Sequence, residues 1–360
     1  MNDEKYLVLL SSFVPFGATR TNLIVSYFGS SKRAWESKKH ELIEIGVKRD
    51  MVDEFIKYRD SLDAKDFFKN LVDLDISYIT INDLHYPQNL VDLDDAPLVL
   101  YYKGKLSKND INSIAIVGSR RITTYGKEVT RNLSIELARY GVAIISGLAF
   151  GVDAMVHKSA LEVDGRCIGV LASGLDEITP RSNEWLGKKI LKNKGLLVSE
   201  YPPNTTPLPY YFPHRNRIIS GLSKAVIIIE GRIKSGTIHT AKAAADQGRQ
   251  VFAVPGQITS PNSEAPHYLI QNGAVMVTST KDILDELNLQ LMVDKEKVSK
   301  VLPSDEIEEN ILTIIAEEPI HLDKIVRISK MDVSTVSARL TIMVIKGLAT
   351  DLGNKTYKKT

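Results

Sequence analysis

The residues of this chain whose types and spacing could do chemistry are two glycine turns that open helices and a run of cations beside an aromatic ring. The chemistry they suit is anion binding. Ile114-Ala115-Ile116-Val117 ends at Gly118, Ser119 and Arg120, with Arg121 next, and an amphipathic helical pattern of roughly sixteen residues then closes at Gly141. A strand, a small-residue turn and a helix start present free backbone N–H groups and the positive end of a macrodipole. Arg120 and Arg121 add full charges, so the turn reads as a phosphate cradle. A second turn of the same type, Gly147-Leu148-Ala149-Phe150-Gly151, follows a strand-like stretch at 142–146 and leads through Asp153 into another helix. One glycine alone needs no more than a tight turn, but two such turns in tandem on one sheet edge point to a site.

The cradle is neither of two common nucleotide fingerprints. Gly118 lacks the G-x-G-x-x-G spacing that a dinucleotide site needs, and G-x-x-x-x-G-K-[ST] occurs nowhere. The cations lie further on. From Pro213 to Arg249 they are Arg215, Arg217, Lys224, Arg232, Lys234, Lys242 and Arg249, opposed by Glu230 and Asp246, which makes a local basic patch. Lys234-Ser235-Gly236-Thr237 is another small-residue turn before a helix. Tyr211 and Phe212 precede His214-Arg215-Asn216-Arg217, and aromatics beside arginines are what stacking of unpaired bases requires. If extended, Arg215 and Arg217 point the same way; if helical, they diverge by about 160–200°. The structural alternative is a core Phe212 with arginines paired to carboxylates such as Glu200.

The elements that must position these groups alternate. Strands expected near 114–117, 142–146, 167–171, 196–199, 225–229, 250–254 and 274–278, separated by helices, mean a mostly parallel sheet covered on both faces, with ligands beyond the strands' carboxyl ends. Stretches at 76–81 and 98–102 extend that sheet or cover its edge. Residues 1–67 read as short helices. Their Pro15-Phe16-Gly17 and Ile45-Gly46-Val47 turns resemble the hairpins by which helical modules meet DNA phosphates, although a protein-contact domain has the same look. After a polar linker at 288–302, residues 303–360 read as three helices, the third N-capped by Ser334, and two strands around Gly353-Asn354. That is a winged helix, in which Arg339 and Lys346 are the third helix's cations.

Composition bounds the rest. The 360 residues suffice for two to three domains, 43% hydrophobic with 25% charged is ordinary for a globular protein, and 46 basic against 44 acidic residues give a net charge of only +2. Any nucleic-acid surface must therefore come from local clustering. A single Cys167 excludes an internal disulfide, and no segment reaches the length of a membrane span, so a cytoplasmic protein without membrane partners is expected.

In order and spacing, I-A-I-V-G-S-R, I-S-G-L-A-F-G-V-D, His157, G-L-D, S-E-Y-P-P, F-P-H-R-N-R-I-I, S-G-T, G-R-Q-V-F-A-V-P-G and L-I-Q-N-G-A closely resemble the DprA (Smf) family of DNA-processing proteins. The resemblance covers residues 72–287. It implies an extended Rossmann-like domain that binds single-stranded DNA, forms a homodimer and helps load the RecA recombinase during natural transformation, with no catalytic reaction, cofactor or metal. It implies DNA contacts at Gly118, Ser119, Arg120, Gly147, Phe212, Arg215, Asn216, Arg217, Lys234, Ser235, Gly236 and Thr237. The helical N-terminal region resembles the family's sterile-alpha-motif-like domain, and the tail its winged helix. Departures are Ile229-Glu230-Gly231 for the usual V-E-A and Thr179-Pro180 where Tyr-Pro is commoner.

The rival class is an enzyme, a nucleoside-monophosphate phosphoribohydrolase on a related sheet, whose P-G-G-x-G-T-x-x-E motif supplies a glutamate. Thr240 stands where that glutamate would be, so the acid/base step lacks its carboxylate. Asp153 and His157, four apart, suit a helix-start carboxylate and a structural histidine better than a metal pair. A small-nucleotide sensor on the same cradle is the third reading.

Overall fold

The computed structural model describes residues 1–289, 306–345, 348–353 and 355–359. Of the sequence expectations, linker residues 290–302, the start of the winged-helix segment at 303–305, Lys346 and Asn354 lie outside them. The chain forms two compact units, Met1–Gln290 and Leu291–Thr360.

The larger unit is built on a nine-stranded sheet: β1 (Ser77–Thr80), β2 (Val99–Gly104), β3 (Ile114–Val117), β4 (Ile144–Ser146), β5 (Cys167–Val170), β6 (Leu196–Ser199), β7 (Ala225–Ile228), β8 (Gln250–Ala253) and β9 (Val275–Met276). Their order is β1-β2-β6-β5-β4-β3-β7-β8-β9. The strands from β3 to β9 are parallel, while the β1–β2 hairpin adds antiparallel to β6, so the early strands extend the sheet. Continuous apolar runs follow from burial on both faces. Ile114 and Ile116 of β3, Ile144 of β4 and Ile227 of β7 enter one core, while Ala115, Val117, Ile145, Val226 and Ile228 enter the other. After β3 the chain winds one way through β4, β5 and β6; after β7 it winds the other. The point of reversal lies between β3 and β7, where parallel sheets open a crevice at their carboxyl ends.

The helical N-terminal region continues to Asp73, in a helix Ala64–Asp73 whose start is capped by the Asp63 carboxylate accepting from Lys65 N at 2.7 Å and Asp66 N at 3.2 Å. Leu71 of that helix, with Leu7 and Val8 of the first one, packs into the sheet's own core, so these helices are not sealed off from the sheet. A separate cluster around Phe13, Phe16 and Phe55 holds the remaining short helices together. Among the described residues no single helix is long and apolar enough to cross a membrane.

The smaller unit has helices Glu306–Ile314, Leu322–Ser329 and Val333–Ile345 and a three-stranded antiparallel sheet of β10 (Ile320–His321), β11 (Ala349–Asp351) and β12 (Thr356–Lys359) in the order β10-β12-β11. Ile311, Ile315, Ile325, Val336, Leu340 and Met343 fill its core. The third helix is capped two residues earlier than expected. The Asp332 carboxylate, rather than Ser334, accepts from Thr335 N at 2.9 Å, because Ser334 already lies inside the helix and donates to that same carboxylate. Arg339 sits 3.7 Å from the buried Glu308.

One ion pair ties the chain leaving β6 to the helix Tyr211–Leu222. Arg217 Nη2 donates to both Glu200 carboxylate oxygens at 2.6 Å, and its Nε lies 3.3 Å from Asp95 Oδ2. Both partners are largely shielded from solvent, so removing Glu200 leaves the buried guanidinium only the more exposed Asp95 as a counter-charge. Glu200→Ala should therefore cost about 3–5 kcal/mol of stability, read by urea unfolding of the full chain; a change below about 1 kcal/mol would assign the pair to the ordinary surface class.

Candidate nucleic-acid interface

At the β3/β7 reversal lies a cleft of about 790 Å³. Three loops and one helix make it: residues 118–121 after β3, Ala149 and Asp153 after β4, residues 232–237 after β7, and the start of the helix Tyr211–Leu222. Arg120, Arg121, Arg215, Arg232 and Lys234 face it, and Asp153 is the single acid among its lining residues. The loops are locked by close backbone approach. Gly151 has φ +76°, and a Cβ there would meet Ser119 O at 2.2 Å; Val152 N donates to the same oxygen at 3.1 Å. Ser119 turns its hydroxyl back on its own loop, accepting from Arg121 N at 3.0 Å. What that loop offers to the cleft is therefore the side chains of Arg120 and Arg121.

The helix supplies its part by period. Phe212, Arg215, Asn216 and Ile219, at i, i+3, i+4 and i+7, all face the cleft. Phe212 belongs to the first helical turn rather than to the proline-rich loop before it, and is half-buried. It is a member of no core cluster among the described residues. The Arg120 guanidinium carbon lies 5.3 Å from the centre of its ring, a cation–π distance.

Arg215 is only 3% exposed and forms the cleft floor. Its Nη1 donates to Gly147 O at 3.0 Å and to Val170 O, and its Nε to Asn216 Oδ1 at 3.3 Å. Burial lowers its pKa to about 10, against the pull of Asp153, so it remains a cation at neutral pH. Burial likewise pushes the Asp153 carboxyl up, with Arg215 and the amides of Ala149 and Gly147 pulling it back. His157, four residues on, is fully buried, and its pKa falls to about 4 by desolvation. It is a neutral core histidine.

Three expectations need correction. Arg217 does not share the cleft: the segment is helical, so Arg217 points away from Arg215 and is held by Glu200. Gly147 lies beneath the site rather than in it. Its N–H is taken by Asp153 Oδ2 at 3.1 Å and its carbonyl by Arg215, and a Cβ there would sit 2.5 Å from Arg215 Nη2. The helix after Gly118 also does not turn an open cap to the cleft: its Gly126 N donates to Thr123 Oγ1 at 3.0 Å. It starts only at Thr124, where the buried Glu230 carboxylate accepts from Thr123 N at 3.0 Å and from the Thr123 hydroxyl. The helix Gly236–Asp246 differs: its N-cap Ser235 makes no capping bond, and Ser235, Gly236 and Thr237 line the cleft beside Lys234. Gly118, Ser119, Arg120, Phe212, Arg215, Asn216 and these four thus converge on one cleft. Arg121 and Arg232, visible in the sequence as charges, join them. Asn262, which donates to Arg121 O at 3.1 Å, had no local signal at all.

Comparison with known proteins agrees with this architecture. Residues 77–288 match the family model for DNA recombination-mediator protein A, and residues 296–355 match that of the DprA winged helix domain. Protein Smf of Escherichia coli is 46% identical over 206 residues, 57% of this chain and 55% of its own. Protein Smf of Synechocystis is 32% identical across 99% of both chains. The X-ray structure of DNA processing protein A from Streptococcus pneumoniae superposes with a TM-score of 0.68 at 31% identity, over 81% of this chain and 99% of that one. A structure of the Helicobacter pylori protein, described for its single-stranded DNA binding mode, superposes with a TM-score of 0.53 at 31% identity, over 59% of this chain and 96% of that one. With a Rossmann-like sheet, a winged helix and a family model spanning more than half its length, this chain belongs to the DNA recombination-mediator protein A (DprA) family.

Proposed function

We propose that this chain binds single-stranded DNA in the β3/β7 cleft and acts as a recombination mediator, protecting incoming strands and helping load a RecA-type recombinase during natural transformation. The observation that carries the binding step is Phe212: a ring outside the core, with Arg120 over one face, at the mouth of a cationic cleft. A π-face and a phosphate-binding cation within reach of one nucleotide suit unpaired bases, because stacking tolerates every base while a duplex hides its faces. The single-stranded DNA named for the H. pylori neighbour supports the same ligand. Recombinase loading, a homodimeric state and a cytoplasmic location rest on family membership. A binding rather than an enzymatic role fits the lining: Thr240 stands at the rival family's glutamate position, its hydroxyl 3.4 Å from Gly236 O, and the one lining carboxylate is engaged with Arg215 and Gly147.

Arg120→Ala should weaken binding to oligothymidylate and flatten the log–log salt dependence by about 0.7, one phosphate contact's share on a single strand. Unchanged slope and affinity in the folded variant would refute the contact. Phe212→Ala should lose about 1–3 kcal/mol of single-strand affinity with a nearly unchanged melting temperature, whereas a core phenylalanine would lose about 3–5 kcal/mol of stability instead. Arg217→Ala should do the opposite of Phe212→Ala, destabilising the fold while leaving affinity per folded molecule intact. Free nucleotides that displaced the oligonucleotide at equal base concentration would favour the nucleotide-sensor reading.

A further inference from the structure

The turn that presents Phe212 to the cleft also closes a second cavity, of about 350 Å³, on its other side. One wall is aromatic. The Tyr201 and Tyr211 rings lie 4.3 Å apart at 31°, and Tyr210, 64% exposed, meets Tyr211 nearly edge-on at 4.6 Å. The facing wall is the start of the helix Gly17–Phe28, where Phe16 stands at the N-cap position without a side-chain bond; Gly17 N already donates to Val14 O, so what this start offers an anion is the positive end of its dipole. Arg20 donates to Pro15 O at 3.0 Å and Phe16 O at 3.2 Å, which fixes a guanidinium beside that lip. Between the walls Thr21 is 1% exposed, lines the cavity, and its Oγ1 has no hydrogen-bond partner among the described residues. A desolvated hydroxyl of this kind costs stability unless something pairs with it.

We infer that this cavity takes a second base of the strand held at Phe212. An unpaired nucleotide stacks on Tyr210 and Tyr211, its ring edge hydrogen-bonds Thr21 Oγ1, and its phosphate rests at the Gly17–Phe28 helix start beside Arg20. The inference rests on the strand occupying the cleft. Charge decides which end of the nucleotide goes in. The acid in the wall, Glu200, is neutralised by Arg217 and lies 3.4 Å from His214 Nδ1, so the interior suits an uncharged heteroaromatic ring, while the cation and the dipole sit at the lip. Phe212 faces the cleft and Tyr210 and Tyr211 face the cavity, so the two platforms flank one helix start, separated by about the 10–12 Å of a helix diameter. A few nucleotides bridge that distance.

The test uses the full chain and oligothymidylates of about 4 and about 16 nucleotides, the ends of the range that single-strand grooves cover. Tyr210→Ala opens the aromatic wall, and Ala18→Trp fills the cavity from the opposite side; Thr21→Val, which keeps the volume, replaces Ala18→Trp if that variant melts below wild type. Each should weaken the long oligonucleotide about tenfold and leave the short one unchanged, and 4-thiothymidine in the long strand should photo-crosslink to the Tyr210–Tyr211 peptide. Unchanged long-strand affinity in the variants, with no such crosslink, overturns the inference and leaves the Phe212 reading standing. Crosslinking abolished by free thymidine, with long-strand affinity indifferent to the variants, overturns it in favour of a free-nucleoside site. A wild-type chain that bound neither oligonucleotide would instead sink the cleft reading itself.

Discussion

The site depends on one buried guanidinium. Arg215 reaches from the helix Tyr211–Leu222 under the sheet's carboxyl edge to the carbonyls of Gly147 and Val170, and so ties that helix to the loop after β4 and the end of β5. A buried cation is tolerated only when paired and hydrogen-bonded, and Asp153 with the two carbonyls meets that condition. Its demands propagate outward. Residue 147 must lack a Cβ, Asp153 must sit in the first turn of its helix, and the rotation of the Tyr211–Leu222 helix is set. With that rotation set, Phe212 faces the cleft, Tyr211 the neighbouring cavity, and Arg217 the Glu200 carboxylate.

Electrostatics explains how a chain of net charge +2 carries a cationic cleft. The positive groups come from three separate segments that the β3/β7 reversal collects, while acids near them in sequence are paired inside the fold. Glu200 is spent on Arg217, Glu230 on the helix that begins at Thr124, and Asp153 on Arg215 and Gly147. The field at the cleft is thus the surplus after internal pairing. The glutamate at 230 also decides which helix start remains free. It occupies the positive end of the helix after β3, and leaves the Gly236–Asp246 helix, beside Lys234, as the uncapped one facing the cleft.

Much of this was legible in the sequence, and for a stated reason. Strand and helix alternation is written in apolar runs and periods that each segment carries by itself, so the parallel sheet, the winged helix and the edge of the sheet that bears the site could be read directly. Glycine turns and charges are equally local, which is why Gly118, Ser119, Arg120, Arg215 and the Lys234–Thr237 turn are visible in the sequence, Phe212 stands out as an aromatic beside arginines, and Asn216 comes from the family resemblance.

What only the tertiary structure decided are partnerships between residues far apart in the chain. Whether Arg217 was a ligand or a strut depended on Glu200, seventeen residues away in sequence, and on Pro213 being accommodated within the first helical turn rather than ending a loop. Whether the helix after Gly118 was an anion site depended on Glu230, more than a hundred residues on. The tyrosine cavity needs the Gly17 helix start and the Tyr210 turn brought face to face. Side-chain direction and the loss of hydration on burial are properties of the packed chain, and no local pattern of residues encodes which carboxylate will reach which cation.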